Sequence, residues 1–250
     1  TQLGKPDLGL ICMEEMLSQV RKIVSATTLP VIADADTGYG NAINVIRTVK
    51  EFERAGVAAV QLEDQVFPKR CGHFAGKMVV SKAEMVSKIQ AAVEAKEDNE
   101  FFIIARTDAR AIYGLEEAIE RAKAYIEAGA DATFIEAPRS IEELREIPLS
   151  INAPQLANMV EGGLTPLLTA EELQKMGFKM VIYANCVLRA GVKAIENILS
   201  YLGKYGTTKG ILDNLITMDE RNIITGLSKI EALEKKYSVR ERNRDEERSK

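Results

Sequence analysis

Apolar residues recur along this chain in two alternating periods. In residues 11–26, Met13, Met16, Leu17, Val20 and Val24 fall at helical spacing and predict one buried face. Residues 30–34 then form a short apolar run that predicts a buried strand, ending in Ala35-Asp36-Thr37-Gly38-Tyr39-Gly40. The pattern repeats. Val45, Val49 and Phe52 share a helical face that stops near Gly56, and residues 58–63 predict a second strand. A helix is predicted over 82–95 with Ser81 placed to cap it, a third strand over 101–108, and a helix over 115–128. A fourth strand over 131–138 precedes a short helix near 141–146. A fifth over 154–158 precedes the loop Glu161-Gly162-Gly163 and a helix over 170–176 ending at Gly177. A sixth strand over 180–185 leads into a long helix over 187–202.

Strand–helix alternation implies parallel strands joined by helical crossovers. Each predicted strand ends in a polar residue: Asp36, Glu63, Arg106, Glu136, Asn158 and Asn185. A doubly wound sheet gathers ligands only near its switch point. A (β/α)8 barrel builds its site from all its strand ends, so the expected fold is a TIM-type (β/α)8 barrel. Six strands are two short of eight, and the expectation is that the first two lie upstream of Thr1. Residues 1–205 are then a catalytic barrel domain, incomplete at its N-terminus. Residues 206–238 carry Leu212, Leu215, Ile216, Ile224, Leu227, Ile230 and Leu233 and read as oligomerisation helices. Residues 239–250 read as a charged tail.

Composition narrows the function. With 33 Lys and Arg against 37 Asp and Glu the net charge is −4, which argues against a nucleic-acid surface. No apolar run approaches a membrane span. Cys12, Cys71 and Cys186 are odd in number and far apart, fitting reduced thiols in the cytoplasm better than a disulfide framework. Cys12, within an apolar-striped helix, is expected in the core.

The chemistry concentrates in Val66-Phe67-Pro68-Lys69-Arg70-Cys71-Gly72-His73, which holds the only histidine in the sequence. Pro68 and Gly72 mark it as a loop, either functional or merely solvated. Asp34 and Asp36 share one side of a strand end, and Glu63-Asp64 ends the next strand. Such carboxylates repel unless a cation lies between them, and hard oxygen donors suit Mg or Mn. Asp64 alone reads equally well as a solvated turn or helix cap. Arg106 is suited to holding a carboxylate bidentately, or to an ion pair with Glu136 or Asp108. Asn158 suits a substrate oxygen or a turn cap.

Asp34-Ala35-Asp36-Thr37-Gly38-Tyr39-Gly40, Glu63-Asp64-Gln65, Pro68-Lys69-Arg70-Cys71-Gly72-His73 and Ala105-Arg106-Thr107-Asp108-Ala109 together resemble the isocitrate lyase and phosphoenolpyruvate mutase superfamily, over about residues 3–202. The resemblance is to its short members, such as methylisocitrate lyase and 2,3-dimethylmalate lyase. It implies a (β/α)8 barrel in a dimer of dimers with a helix swapped between neighbours. It also implies Asp36 as a direct Mg ligand, Asp34 and Glu63 as carboxylates holding Mg largely through water, and Asp7 as an acidic residue lining the same site. Cys71 matches the lyase cysteine, with Gly72 and His73 in a mobile gating loop. Arg106, Glu136 and Asn158 match substrate-contacting positions. The mutase branch lacks this cysteine, which favours carbon–carbon lysis. The sequence departs from many relatives at Tyr183-Ala184-Asn185, where they have Tyr-Pro.

The implied activity is Mg-dependent cleavage of a 2-hydroxy di- or tricarboxylate, with Cys71 as proton donor, Lys69, Arg70 and His73 tuning that thiol, and a homotetrameric assembly. Competing expectations are an oxaloacetate decarboxylase or hydrolase, a carboxyphosphonoenolpyruvate mutase-type enzyme, and a non-catalytic metabolite-binding barrel.

Overall fold

A computed structural model describes residues 3–72 and 76–238. The elements run α1 (Met13–Ala26), β1 (Ile32–Asp34), α2 (Ala42–Arg54), β2 (Ala59–Glu63), α3 (Lys82–Ala95), β3 (Phe102–Thr107), α4 (Arg110–Tyr113), α5 (Leu115–Glu127), β4 (Ala132–Ile135), α6 (Ile141–Ser150), β5 (Leu156–Asn158), α7 (Ala170–Met176), β6 (Met180–Ile182) and α8 (Cys186–Tyr205). After a 3-10 turn at Leu212–Asn214 come α9 (Met218–Ile224) and α10 (Leu227–Tyr237). Local chemistry sets several boundaries. Ser81 Oγ accepts the Glu84 N–H at the start of α3. Gly177, at φ 110°, terminates α7 in a left-handed conformation that disfavours a side chain.

Strands β1-β2-β3-β4 pair in parallel in that order, β5 pairs in parallel with β6, and a Thr133–Gln155 bridge links β4 to the start of β5. The order never reverses, as a doubly wound sheet requires. This is the parallel α/β arrangement of a TIM-type fold.

Side-chain alternation divides the strands into two faces. Ala33, Val60, Leu62, Ile103 and Ala105 belong to the outer core, with Leu17, Val45, Phe52 and Met85 from the helices. Ala157 joins a second cluster with α5, α6 and α7. The inner face holds a layer of Ala59, Ile104, Ala132, Phe134 and Leu156, with Phe102, Met180 and Ile182 packed on it. Continuing that inner alternation toward the carboxyl ends gives Asp34, Glu63, Arg106, Glu136 and Asn158.

Several expectations change. Cys12 is exposed rather than core, because it is the cap residue before α1 and lies outside the apolar stripe. In β1 only Ala33 is buried, with Ile32 46% exposed. α6 runs on through Pro148, a residue that usually ends a helix, because the buried Leu144 and Ile147 hold it in the core. α4 is additional. The helical period over 211–234 is broken into a turn and two helices, with Gly226 in the left-handed region between them.

The chain divides into two compact units, Thr1–Cys186 and Val187–Lys250. Among the described residues of the second, no residue of α8, α9 or α10 is buried. The expected tail, 239–250, lies outside the described residues. No described helix is long and apolar enough to cross a membrane.

Candidate active site

Backbone strain collects at the carboxyl ends of the strands. Among the described residues, the non-glycine positions with positive φ are Asp36, Tyr39, Ala137 and Asn185, just beyond β1, β4 and β6. Such conformations persist where surrounding structure enforces them, and they cluster at functional sites.

Two charged groups occupy this end. In the first, Lys69 Nζ lies 2.8 Å from Asp36 Oδ1 and 2.7 Å from Asp7 Oδ1. Burial works against the Lys69 ammonium, but Glu63, Asp34 and Asp36 outweigh it and raise its pKa. Burial, then Asp34, pushes the Asp36 carboxyl upward. Lys69 is therefore directed to the carboxylates.

Arg106 organises the second. Its neighbour in register on β2 is Glu63. Nε lies 3.3 Å from Glu63 Oε2 and donates to Asp108 Oδ2 at 2.9 Å, while Nη2 lies 3.1 Å from Glu136 Oε2. The guanidinium rests over the Phe134 ring, 5.1 Å from its centroid. Both alternatives for Arg106 as an ion pair are realised. Asn158 Nδ2 donates to both Glu136 oxygens, at 3.4 and 3.3 Å. Its Oδ1 is buried without a partner.

Glu63 stands between the groups. Both of its oxygens are buried without a hydrogen bond, and Arg106 Nε meets Oε2 only as an ion pair at 3.3 Å. Burial pushes its carboxyl up to about 8, with Arg106 opposing. Among the described residues, no three carboxylate, thiol or imidazole groups are close enough to hold a metal by themselves.

The loop after β2 is held over this end. Gln65 clamps the main chain of Arg70, donating to its carbonyl at 2.8 Å and accepting its N–H at 2.9 Å. Gly72 is pressed against the Arg106–Glu136 pair: a Cβ there would stand 2.6 Å from Arg106 Nη2 and from Glu136 Cγ. Cys71, beside it, is half-buried. Arg70 is exposed. His73 lies outside the described residues.

Asp64 is neither a solvated turn nor a helix cap. It is fully buried and accepts from Thr107 Oγ1 at 2.7 Å, the Asp108 N–H at 3.0 Å, Tyr125 Oη at 2.8 Å and Arg121 Nη1 at 3.2 Å. It ties β2 to β3 and α5. Gln65 and Lys77 also matter to the site, and the sequence assigned neither a role, whereas Asp108 was expected as an ion-pair partner of Arg106. The residue types alone carry no signal, because their roles arise from contacts across the fold. Cys186 is half-buried, its thiol donating to the Tyr183 carbonyl at 3.4 Å.

Residues 1–202 match the family model of phosphoenolpyruvate phosphomutase. The chain belongs to this family. Within it, the chain is 50% identical over 239 residues to the 2,3-dimethylmalate lyase of Eubacterium barkeri, covering 96% of this chain and 83% of that protein. It is 51% identical over 218 residues to the 2-methylisocitrate lyase of Aeropyrum pernix, covering 87% and 70%. The crystal structure of a 2,3-dimethylmalate lyase superposes with a TM-score of 0.89 at 37% identity, over 95% of this chain and 80% of that one. Phosphonopyruvate hydrolase, in a complex with oxalate and Mg²⁺, superposes at 0.84 and 32% identity, over 95% and 83%.

Proposed function

We propose that this protein is a Mg-dependent carbon–carbon lyase. Its substrate is a 2-hydroxy di- or tricarboxylate of the 2-methylisocitrate or 2,3-dimethylmalate type. The products are a 2-oxo acid and a second carboxylic acid. The observation that carries this reading is the placement of Cys71-Gly72 against the Arg106–Glu136 pair, beside the acidic group of Asp34, Asp36 and Glu63. Similarity to two named lyases supports it.

The residues fit a magnesium ion. Glu63 has two buried oxygens without hydrogen bonds, a costly arrangement that a cation would relieve. Asp36 and Asp34 add hard oxygen donors, with Asp7 behind them across Lys69. Such carboxylate oxygens suit Mg, which binds through one or two carboxylates and keeps several waters. Mn is compatible with the same donors. When bound, the ion supplies a Lewis acid for the oxygen charge that develops as a hydroxyl becomes a ketone.

The remaining work falls to the chain. Arg106, fixed by Asp108 and Glu136, presents a guanidinium to a substrate carboxylate. Asn158, oriented by Glu136, turns its free Oδ1 toward a hydroxyl or acid donor. A base takes the hydroxyl proton, the freed oxygen electron pair becomes the second bond of the new C=O, and the C–C bond breaks. The electron pair leaves with the fragment bearing the second carboxylate. Cys71 gives its proton to that carbon. Lys69 balances the carboxylates, and His73, two residues after the thiol in sequence, is assigned to tune it. Unpaired cysteines fit a reducing, cytoplasmic setting.

The second unit leaves Val187, Ile195, Leu199, Ile223 and Ile224 more than half exposed, more apolar surface than a lone chain usually carries. A homotetramer covers it. Light scattering at micromolar concentration should give four chains, and a monomer would remove the idea.

The test of function is a panel of hydroxy-acids with Mg, read by a coupled 2-oxo-acid assay and by product analysis. A lyase gives a 2-oxo acid and an intact second acid in equal amounts. Carbon dioxide or oxalate from oxaloacetate would point instead to a decarboxylase or hydrolase.

A further inference from the structure

After Gly72 the chain returns beside its own outgoing path. Val66 N–H donates to the Met78 carbonyl at 2.8 Å, Val80 N–H to the Asp64 carbonyl at 2.8 Å, and Gln65 and Val79 form an antiparallel bridge. Extended alternation then sends Met78 outward, 65% exposed, and turns its neighbour Lys77 inward, 8% exposed. A lysine so deeply buried needs partners, since an unpaired buried charge is expensive.

Lys77 has two. Its Nζ donates to the Gly72 carbonyl and to Asp108 Oδ1, the latter at 2.7 Å. The same Asp108 carboxylate receives Arg106 Nε at 2.9 Å and Nη2 at 3.3 Å. The side chains of Lys77 and Asp108 are 2% and 0% exposed. A continuous path thus runs from the Gly72 carbonyl through Lys77, Asp108 and Arg106 to Glu136 and Asn158.

We infer that Lys77 is a positioning residue: its ammonium ties the Gly72 carbonyl to Asp108, and so sets where Cys71-Gly72 rests against Arg106 and Glu136. Two features distinguish this from ordinary burial. The donor reaches the main chain of the segment that carries the thiol, rather than a side chain elsewhere. Its other partner is the carboxylate that orients Arg106, so one charge fixes both sides of the contact. Lys77 also shares the charge of Asp108 with Arg106, whose Nη2 reaches Glu136 as well. The consequence for turnover rests on the proposed lyase reading, whereas the tether does not.

The experiment compares Lys77→Met with the wild type in the full chain. One readout is the split between kcat and KM on the best hydroxy-acid. Loss of register at the thiol should lower kcat by about 10²-fold, the scale of an ångström misplacement, with KM changed far less. The other is iodoacetamide alkylation of Cys71, followed by peptide mass spectrometry without metal or substrate. Release of the segment should speed it about tenfold or more, while exposed Cys12 in the same chain keeps its rate. If Lys77→Met does not fold, Lys77→Gln, polar but uncharged and one atom too short to hold both partners, carries the same readouts. Unchanged Cys71 alkylation overturns the tether, whatever the activity. Faster alkylation with kcat within about threefold overturns the positioning role. If the wild type cleaves no hydroxy-acid yet alkylation of the variant accelerates, the lyase reading fails and the tether stands.

Discussion

Lys69 Nζ lies 2.8 Å from Asp36 Oδ1, so the residue expected to bind metal directly is paired with an ammonium from the loop after β2. Lys69 thus relieves repulsion among Asp36, Asp34, Glu63 and Asp7. In protein treated with chelator, Lys69→Met should lower stability by about 3 kcal/mol, the lower range for breaking a buried pair, since Asp7 is half exposed. Mg should then raise the Tm of the variant more than that of the wild type. Equal Mg shifts in thermal unfolding would refute this link between lysine and metal.

Gly72 leaves no room for a side chain. Gly72→Ala would force a carbon to within 2.6 Å of Arg106 Nη2, so the segment must lift. Turnover should fall by about 10²-fold with little change in Tm, because the displacement is local. Circular dichroism beside steady-state kinetics checks it, and a fully active Gly72→Ala enzyme would contradict the packing argument.

Cys71 is where catalysis and simple packing differ most. Cys71→Ser should cut kcat by roughly 10²–10⁴ while KM changes little, because a hydroxyl is a far weaker acid than a thiol. A variant within about threefold of wild-type turnover would show that Cys71 is not the proton donor.

Asp108 makes acid stability informative. Burial alone would raise its carboxyl, but Arg106 and Lys77 outweigh that and hold it below the usual carboxylate range. As pH falls, the unfolded chain therefore takes up this proton first. The stabilisation is present above the ordinary value of about 4 and is lost as pH drops through the lower folded value. Asp108→Asn should be less stable at neutral pH yet lose less stability below about pH 4. Urea unfolding between about pH 2 and pH 7 measures this, and parallel curves for the two proteins would exclude it.

What the sequence determined was periodicity and its consequences. Apolar spacing placed the strands and most helices, because burying one face of each element leaves a 2.0 or 3.6 repeat in the chain. Ser81 and Gly177 announced helix ends through local hydrogen bonding and backbone freedom. The strand-end residues Asp34, Glu63, Arg106, Glu136 and Asn158 were legible because they continue the alternation that fills the inner face. Tertiary structure alone decided which of these residues meet. It made Asp64 a buried hub, brought Lys69 to Asp36, and joined Lys77 to Asp108 across 31 positions of sequence. It also carried α6 through Pro148, because the burial of Leu144 and Ile147 overrides a local rule. Such partnerships depend on separate strands arriving side by side, and no spacing within one segment records which charges will then share a buried space.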